Sequence, residues 1–215
     1  MLFSSLCGRF KPNNYEKNIL TLVAASLLSL IGSAAFAQTS VGLFEGGRGY
    51  LQRLDGADKN TSTGATVFGL TVEHNVRLNS LFGISAGADV SVSGAKDFMD
   101  VKEFTLVESY LDIPLRGKIY LPLGNALDLN FFAGAVPSYC LGSWSKVGDG
   151  DTENYFDANK DYKRFDVMLG GGVGLDIIKH IKVAVSFDCG VLDRDGADGS
   201  KFNSGILKMT AAYIF

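Results

Sequence analysis

The stretch Tyr110-Leu111-Asp112-Ile113-Pro114-Leu115-Arg116-Gly117-Lys118-Ile119-Tyr120-Leu121 decides the fold. Read at every second residue, it separates into two sets. Leu111, Ile113, Leu115, Gly117, Ile119 and Leu121 are apolar or glycine, whereas Tyr110, Asp112, Pro114, Arg116, Lys118 and Tyr120 include charges of both signs. Successive side chains of a β-strand point to opposite faces, so a period of two is the strand period. A helix, with period 3.6, mixes the two sets.

The same alternation recurs on either side. Phe82, Ile84, Ala86, Ala88, Val90 and Val92 oppose Gly83, Ser85, Gly87, Asp89, Ser91 and Ser93. Leu127, Leu129, Phe131, Ala133 and Ala135 oppose Asp128, Asn130, Phe132 and Gly134. Further segments are centred on Phe68–Val72, Phe165–Leu175, Ile181–Val191 and Leu207–Phe215. The first, Val41 to Gln52, is Gly-rich and its facing is ambiguous. The count is eight strands.

The links between them alternate in length. Long ones (Leu54–Gly64, Gly94–Lys102, Ser143–Asp161, Asp193–Lys201) follow the odd strands, and tight ones (Arg77–Ser80, Pro122–Asn125, Ile178–His180) follow the even strands. Short periplasmic turns and longer external loops are the pattern of an outer-membrane barrel with an even number of strands.

The N-terminal segment points to export. Arg9, Lys11 and Lys17 precede the apolar run Ile19–Ile31, and Ala35-Phe36-Ala37 then offers an A-x-A site, which predicts a signal peptide over 1–37 cleaved before Gln38. The run is short of the ~20 residues that a membrane helix needs. A β-barrel domain over 38–215 is expected to follow. Without a membrane helix, the chain enters lipid only as a closed barrel, because lipid offers no partner to free backbone N–H and C=O groups.

Alternation alone fits a soluble barrel as well, with the apolar face inward. Two features invert it. The polar face is rich in small residues, Gly83, Gly87, Gly134, Gly170, Gly172, Gly174 and Gly190, as a narrow lumen requires. It also carries ionisable groups in mid-strand, Glu73, Asp89, Asp112, Asp128, Asp166, Asp176 and Asp188 with Arg116, Lys118, Lys182 and Lys208. These pair across a lumen, whereas a basic residue facing lipid at mid-depth costs about 2–4 kcal/mol. The fold class expected is therefore all-β, an eight-stranded antiparallel up-and-down transmembrane barrel whose polar lumen is filled.

Tyr110–Leu115 resembles the YLxIPLL strand of the porin-like, PorT-like family of small outer-membrane β-barrels, and Phe165–Gly174 resembles its FDxGLxxGxG strand. The final strand places Leu207, Met209, Ala211, Tyr213 and Phe215 at alternate positions, which looks like the assembly signature of such barrels. The resemblance implies a Gram-negative cell envelope, contact with outer-membrane lipid and lipopolysaccharide, and insertion by the barrel-assembly machinery through Tyr213 and Phe215.

Several chemistries can be weighed against the residues. A formal charge of −3, with no basic stripe, speaks against nucleic acid. A lipid-modifying enzyme needs a base beside a nucleophile, but the two histidines, His74 and His180, fall near short turns, away from the outer rim. Calcium is offered by the acidic Gly-rich runs Asp149–Asp151 and Asp193–Gly199, which lack EF-hand spacing. A narrow porin-like pore is opposed by the small bore of eight strands. Cys140 and Cys189 read as separate thiols, and Cys7 falls in the segment to be removed. Trp144, Tyr155 and Phe156 lie in the longest link, either as an exposed contact surface or as anchors on the rim. The balance is a non-enzymatic structural or surface-interaction protein, with no cofactor or metal expected.

Overall fold

The computed structural model describes residues 37–54, 61–97, 101, 103–124, 126–148, 150–158, 160, 162–195 and 200–215. Of the expected signal segment only Ala37 is among them. The described elements are β1 (Ala37–Leu54), β2 (Thr61–Arg77), β3 (Phe82–Lys96), β4 (Phe104–Asp112), β5 (Leu115–Pro122), β6 (Leu127–Val147), β7 (Glu153–Asn154), the short helix α1 (Tyr155–Ala158), β8 (Phe165–Ile177), β9 (Ile181–Gly190) and β10 (Ser200–Ile214). No helix among the described residues is long and apolar enough to cross a membrane.

Every neighbouring pair is antiparallel, and β1 pairs with β10 from Ser40↔Ile214 to Leu54↔Ser200, so the sheet closes on itself. β4 and β5 both lie between β3 and β6 and form one stave interrupted at Ile113-Pro114. Proline has no N–H to give the ladder. The ladder is carried across the break by Gly87 N–H to the Pro114 carbonyl at 2.9 Å and Ile113 N–H to the Pro137 carbonyl at 2.8 Å. With β7 a short pairing outside the ring, the barrel has eight staves.

The short turns follow local chemistry. Asn79 Oδ1 accepts from Leu81 N–H and Phe82 N–H, both at 2.8 Å, closing the β2–β3 link. Ile178 and Lys179 turn β8 into β9 with φ of 52° and 63°, the left-handed pair that a tight hairpin demands.

Two registers depart from the sequence reading. First, Ser143–Val147 is strand, not loop, because β6 continues along β4 to Phe104↔Val147. Second, β6 changes parity on the way. Ser109 pairs with Gly142 and Tyr110 with Cys140, leaving Leu141 over as a bulge. One extra residue exchanges the faces of everything beyond it, so Ser138 and Cys140 are buried before the bulge, and Ser143 and Ser145 after it. The ambiguous β1 is also settled: Ser40, Phe44, Arg48 and Tyr50 face in, while Val41 and Leu43 face out.

The inversion holds along the middle of the wall with one described exception, Glu45, which faces out. Phe68 and Leu70 are 57% and 59% exposed, whereas Lys118 and Asp188 on the opposite parity are 3% and 0% exposed. A fold with its grease outside and its ions inside is at rest only in hydrocarbon.

Candidate functional site

The lumen charges form an inner and an outer set, parted by an apolar cluster carried on β1, β2, β6, β8 and β10, whereas on β3 and β4 the two sets meet, with Asp89 directly opposite Asp112. In the inner half, towards the short turns, Lys118 and Lys182 both donate to Glu73 Oε1, the second at 2.5 Å. Asp176 stands opposite Lys182 across the ladder. Deeper in, Arg116 meets Asp188 Oδ1 at 2.6 Å and Lys208 meets Asp89 Oδ2 at 2.7 Å. At the short-turn mouth Arg77 holds Asp128 at 2.6 Å and lies 4.0 Å from the Tyr120 ring centroid. A cavity of about 50 Å³ among Glu73, Asp89, Arg116, Lys182 and Lys208 has room for a little water.

Above this half, Phe44 is 2% exposed and Val67, Val136, Met168 and Ile206 are 0% exposed, and they pack together as an apolar septum. Each sits on a lumen position, and on β2, β6 and β8 the septum residue lies nearer the long-link end than Glu73, Asp128 and Asp176 do. Glycine makes the room. A Cβ at Gly69 would meet the Phe44 ring at 2.4 Å, and one at Gly172 would meet the Val185 carbonyl at 2.1 Å and the Phe132 ring at 2.7 Å.

The outer half is built around Glu108, which is fully buried. Its carboxylate accepts from the Tyr50 hydroxyl at 2.5 Å, the Tyr110 hydroxyl at 2.6 Å and the Tyr162 hydroxyl at 3.2 Å. Burial pushes the Tyr162 hydroxyl well above its ordinary pKa, so it remains a donor. Arg194 donates from Nη1 to the Tyr110 hydroxyl at 2.8 Å and places Nη2 3.7 Å from Glu108. Arg48 lies 3.7 Å from the Tyr110 ring centroid and 3.7 Å from Asp112 Oδ2, while Ser138 donates to Asp112 Oδ1 at 2.5 Å. Asp166 accepts from the backbone N–H groups of Val167 and Leu192.

All of the lumen residues singled out from sequence, Glu73, Asp89, Asp112, Arg116, Lys118, Asp128, Asp166, Asp176, Lys182, Asp188 and Lys208, lie on the inward face. Sequence reasoning missed Arg48, Glu108 and Arg194. Arg48 sits on the ambiguous β1. Glu108 shares the parity of Tyr110 and Asp112, so the alternation could have found it. Arg194 follows β9 in an irregular segment and gives no periodic signal.

The long-link aromatics are placed differently from an exposed contact surface. Phe156 is 8% exposed and packs with Tyr162, Phe202 and Tyr50 over the outer half, with Tyr155 and Phe104 against them. An aromatic face is better satisfied against other rings than in water. Trp144 stands on β6, half-buried, with its ring over Gly142.

The other candidates fall apart in space. His74 bonds with Thr39 Oγ1 at 3.0 Å on the outward face, and His180 stacks on Tyr213 in a short turn. In the described part of the acidic run after β9, Lys163 Nζ donates to the carbonyls of Asp193 and Asp195, where a cation would have to sit. No three His, Cys, Asp or Glu side chains gather as metal ligands among the described residues. Cys140 is buried and Cys189 exposed, and neither is in a disulfide.

No curated protein matches the chain. Among solved structures it is similar to the attachment invasion locus protein Ail of Yersinia pestis, crystallised with the heparin analogue sucrose octasulfate, at 16% identity and a TM-score of 0.41 over 82% of this chain and 99% of that one. It is similar to the outer membrane protein OprG of Pseudomonas aeruginosa at 16% identity and a TM-score of 0.48, over 83% and 95% of the two chains. Neisserial surface protein A gives 9% identity and a TM-score of 0.40 over 80% and 96%. Residues 36–194 match the outer membrane protein beta-barrel domain family, and this barrel, greasy outside and ionic within, belongs to that family.

Proposed function

We propose that this outer-membrane barrel is a sealed, non-enzymatic protein that serves a structural or surface-interaction role rather than passing solutes. The observation that carries this reading is the apolar septum of Phe44, Val67, Val136, Met168 and Ile206, packed in the bore beside buried, paired charges. Ions crossing it would shed water without gaining a polar partner. The buried lumen charges act as a framework: Arg48, Arg116, Lys118, Lys182, Arg194 and Lys208 each have a carboxylate partner.

Planar-bilayer recording on the purified full chain tests it. No steady single-channel steps are expected, and steady steps would return the barrel to the narrow-pore reading. The non-enzymatic part is tested by mass analysis of lipid A from cells with and without the protein, with no change in acyl pattern expected. Export belongs to the same proposal. Residues 1–37 serve as the removed leader, Tyr213 and Phe215 as the strand read by the assembly machinery, and N-terminal sequencing of the membrane form should begin at Gln38.

A further inference from the structure

Outward-facing charge is unevenly spread along the wall. At the long-loop end the outward strand positions include Arg53, Lys96, Lys146 and Lys201. At the short-turn end the described outward positions on the strands hold no Lys, Arg, Asp or Glu; Val76, Leu121, Ile181 and Tyr213 are typical. The four basic residues are also grouped. Arg53 stands directly opposite Lys201 across β1 and β10. Lys96 stands opposite Thr105, which stands opposite Lys146. Like charges facing each other across a ladder repel, and none of the four forms an ion pair among the described residues. An anion shared from outside would relieve the repulsion.

The wall between these groups is a groove of about 690 Å³, bordered by Lys96 and floored by Gly47, Gly49, Gly64 and Gly94. The lumen glycines are explained by the side chains and carbonyls that stand over them. These are not, because a Cβ at Gly49, Gly64 or Gly94 would meet nothing within 4 Å. Below the groove Glu45 faces out, exposed, between Phe68 and Met209 and without a partner among the described residues. A carboxylate at that depth needs a hydrogen-bond donor from its surroundings. A second copy of the chain fits poorly, since two grooves meeting face to face would set Lys96 and Arg53 of each against those of the other.

We propose that this groove binds one phosphorylated lipid of the outer leaflet. Its phosphates are shared by the Lys96/Lys146 and Arg53/Lys201 groups, a chain lies on the glycine floor, and a hydroxyl or amide N–H of the lipid reaches Glu45. The site rests on the membrane placement argued above.

The test uses the folded full chain in detergent, offered lipid A or its dephosphorylated form at matched concentration, with bound lipid counted by native mass spectrometry. The wild type should retain one lipid A, and free inorganic phosphate should not displace it. The K96Q/K146Q pair and, separately, the G64V/G94V pair should each weaken retention at least tenfold. Valine suits an outward strand position with open space, and heat-shifted gel mobility checks that each variant folds. If the valine pair does not fold, the lysine pair alone decides. Lys179→Gln, on a short turn, should change nothing. Equal retention by the wild type and the lysine pair, or of the two forms of lipid A, overturns the site and leaves the barrel in its membrane. A full chain folded as a monomer in detergent-free buffer overturns the membrane placement itself.

Discussion

The two halves of the lumen solve one problem in different ways. In the inner half, charges borne by strands are paired across the bore by lysine and arginine, and the Glu73 side chain keeps 18% of its surface accessible. In the outer half a single carboxylate, Glu108, is wrapped by three tyrosine hydroxyls and an arginine supplied by a loop, with no accessible surface at all. The inner half tolerates water and the outer half excludes it. The difference teaches where the proposed seal would lie: at the septum and above it, not at the short-turn mouth.

The largest effect should come from removing the outer carboxylate. Glu108→Ala leaves Arg194 and the three hydroxyls without their acceptor in a dry site, and a loss of about 3–5 kcal/mol is expected in urea unfolding followed by gel mobility. Glu73→Ala should cost less, because water and Asp176 remain near its two lysines. A Glu73 variant as damaging as the Glu108 one would erase the contrast.

The septum comes next. Phe44→Ala opens a void against Gly69, and large-to-small changes of this kind cost about 3–5 kcal/mol when the site cannot collapse; the low end is expected beside the inner cavity. Combined with Met168→Ala it should also admit ions, read as conductance absent from the wild type. A silent double variant would move the seal elsewhere.

The wall's two faces sharpen the comparison further. Gly172→Ala forces a Cβ onto the Val185 carbonyl and the Phe132 ring, and a loss of about 1–3 kcal/mol is expected. Gly49→Ala meets open space and should stay within about 0.5 kcal/mol of the wild type. Similar losses at both positions would mean that the outer glycines serve the fold.

The smallest effect on stability is expected at the cap, where the readout is access. In a chain keeping only Cys140, a water-soluble maleimide should react slowly with the wild type and at least tenfold faster once Phe156→Ala thins the aromatic cover. Unchanged labelling would show that Cys140 is shielded by the barrel alone.

Much of this was legible in the residues. The alternation in Tyr110–Leu121 set the strand, its parity and the placement of Arg116 and Lys118, because in a strand the face of every residue follows from that of its neighbour. The lengths of the links gave the hairpin order, and the lumen charges declared themselves wherever the alternation was clean. Trouble began where the period broke. Val67 beside Phe68, Met168 beside Leu169 and Ile206 beside Leu207 put two apolar residues in succession, and the parity alone could not say that the inward member of each pair joins one septum. That takes the closed ring, which brings β1, β2, β6, β8 and β10 to face one another across the bore.

The outer half lay further from reach. The bulge at Leu141 exchanges the faces of the upper part of β6 without any residue type that announces it. Arg194 and Tyr162 come from irregular segments and Phe156 from the one-turn helix α1, and the direction of each is fixed only by what it packs against. The sequence by itself determined that apolar residues line one side of each strand and ions the other, because a two-residue period is a local property of extended backbone. Only the tertiary structure decided which ions meet, where the bore is dry and how the loops fold into its mouth, because those depend on closure and on contacts between residues far apart in the chain.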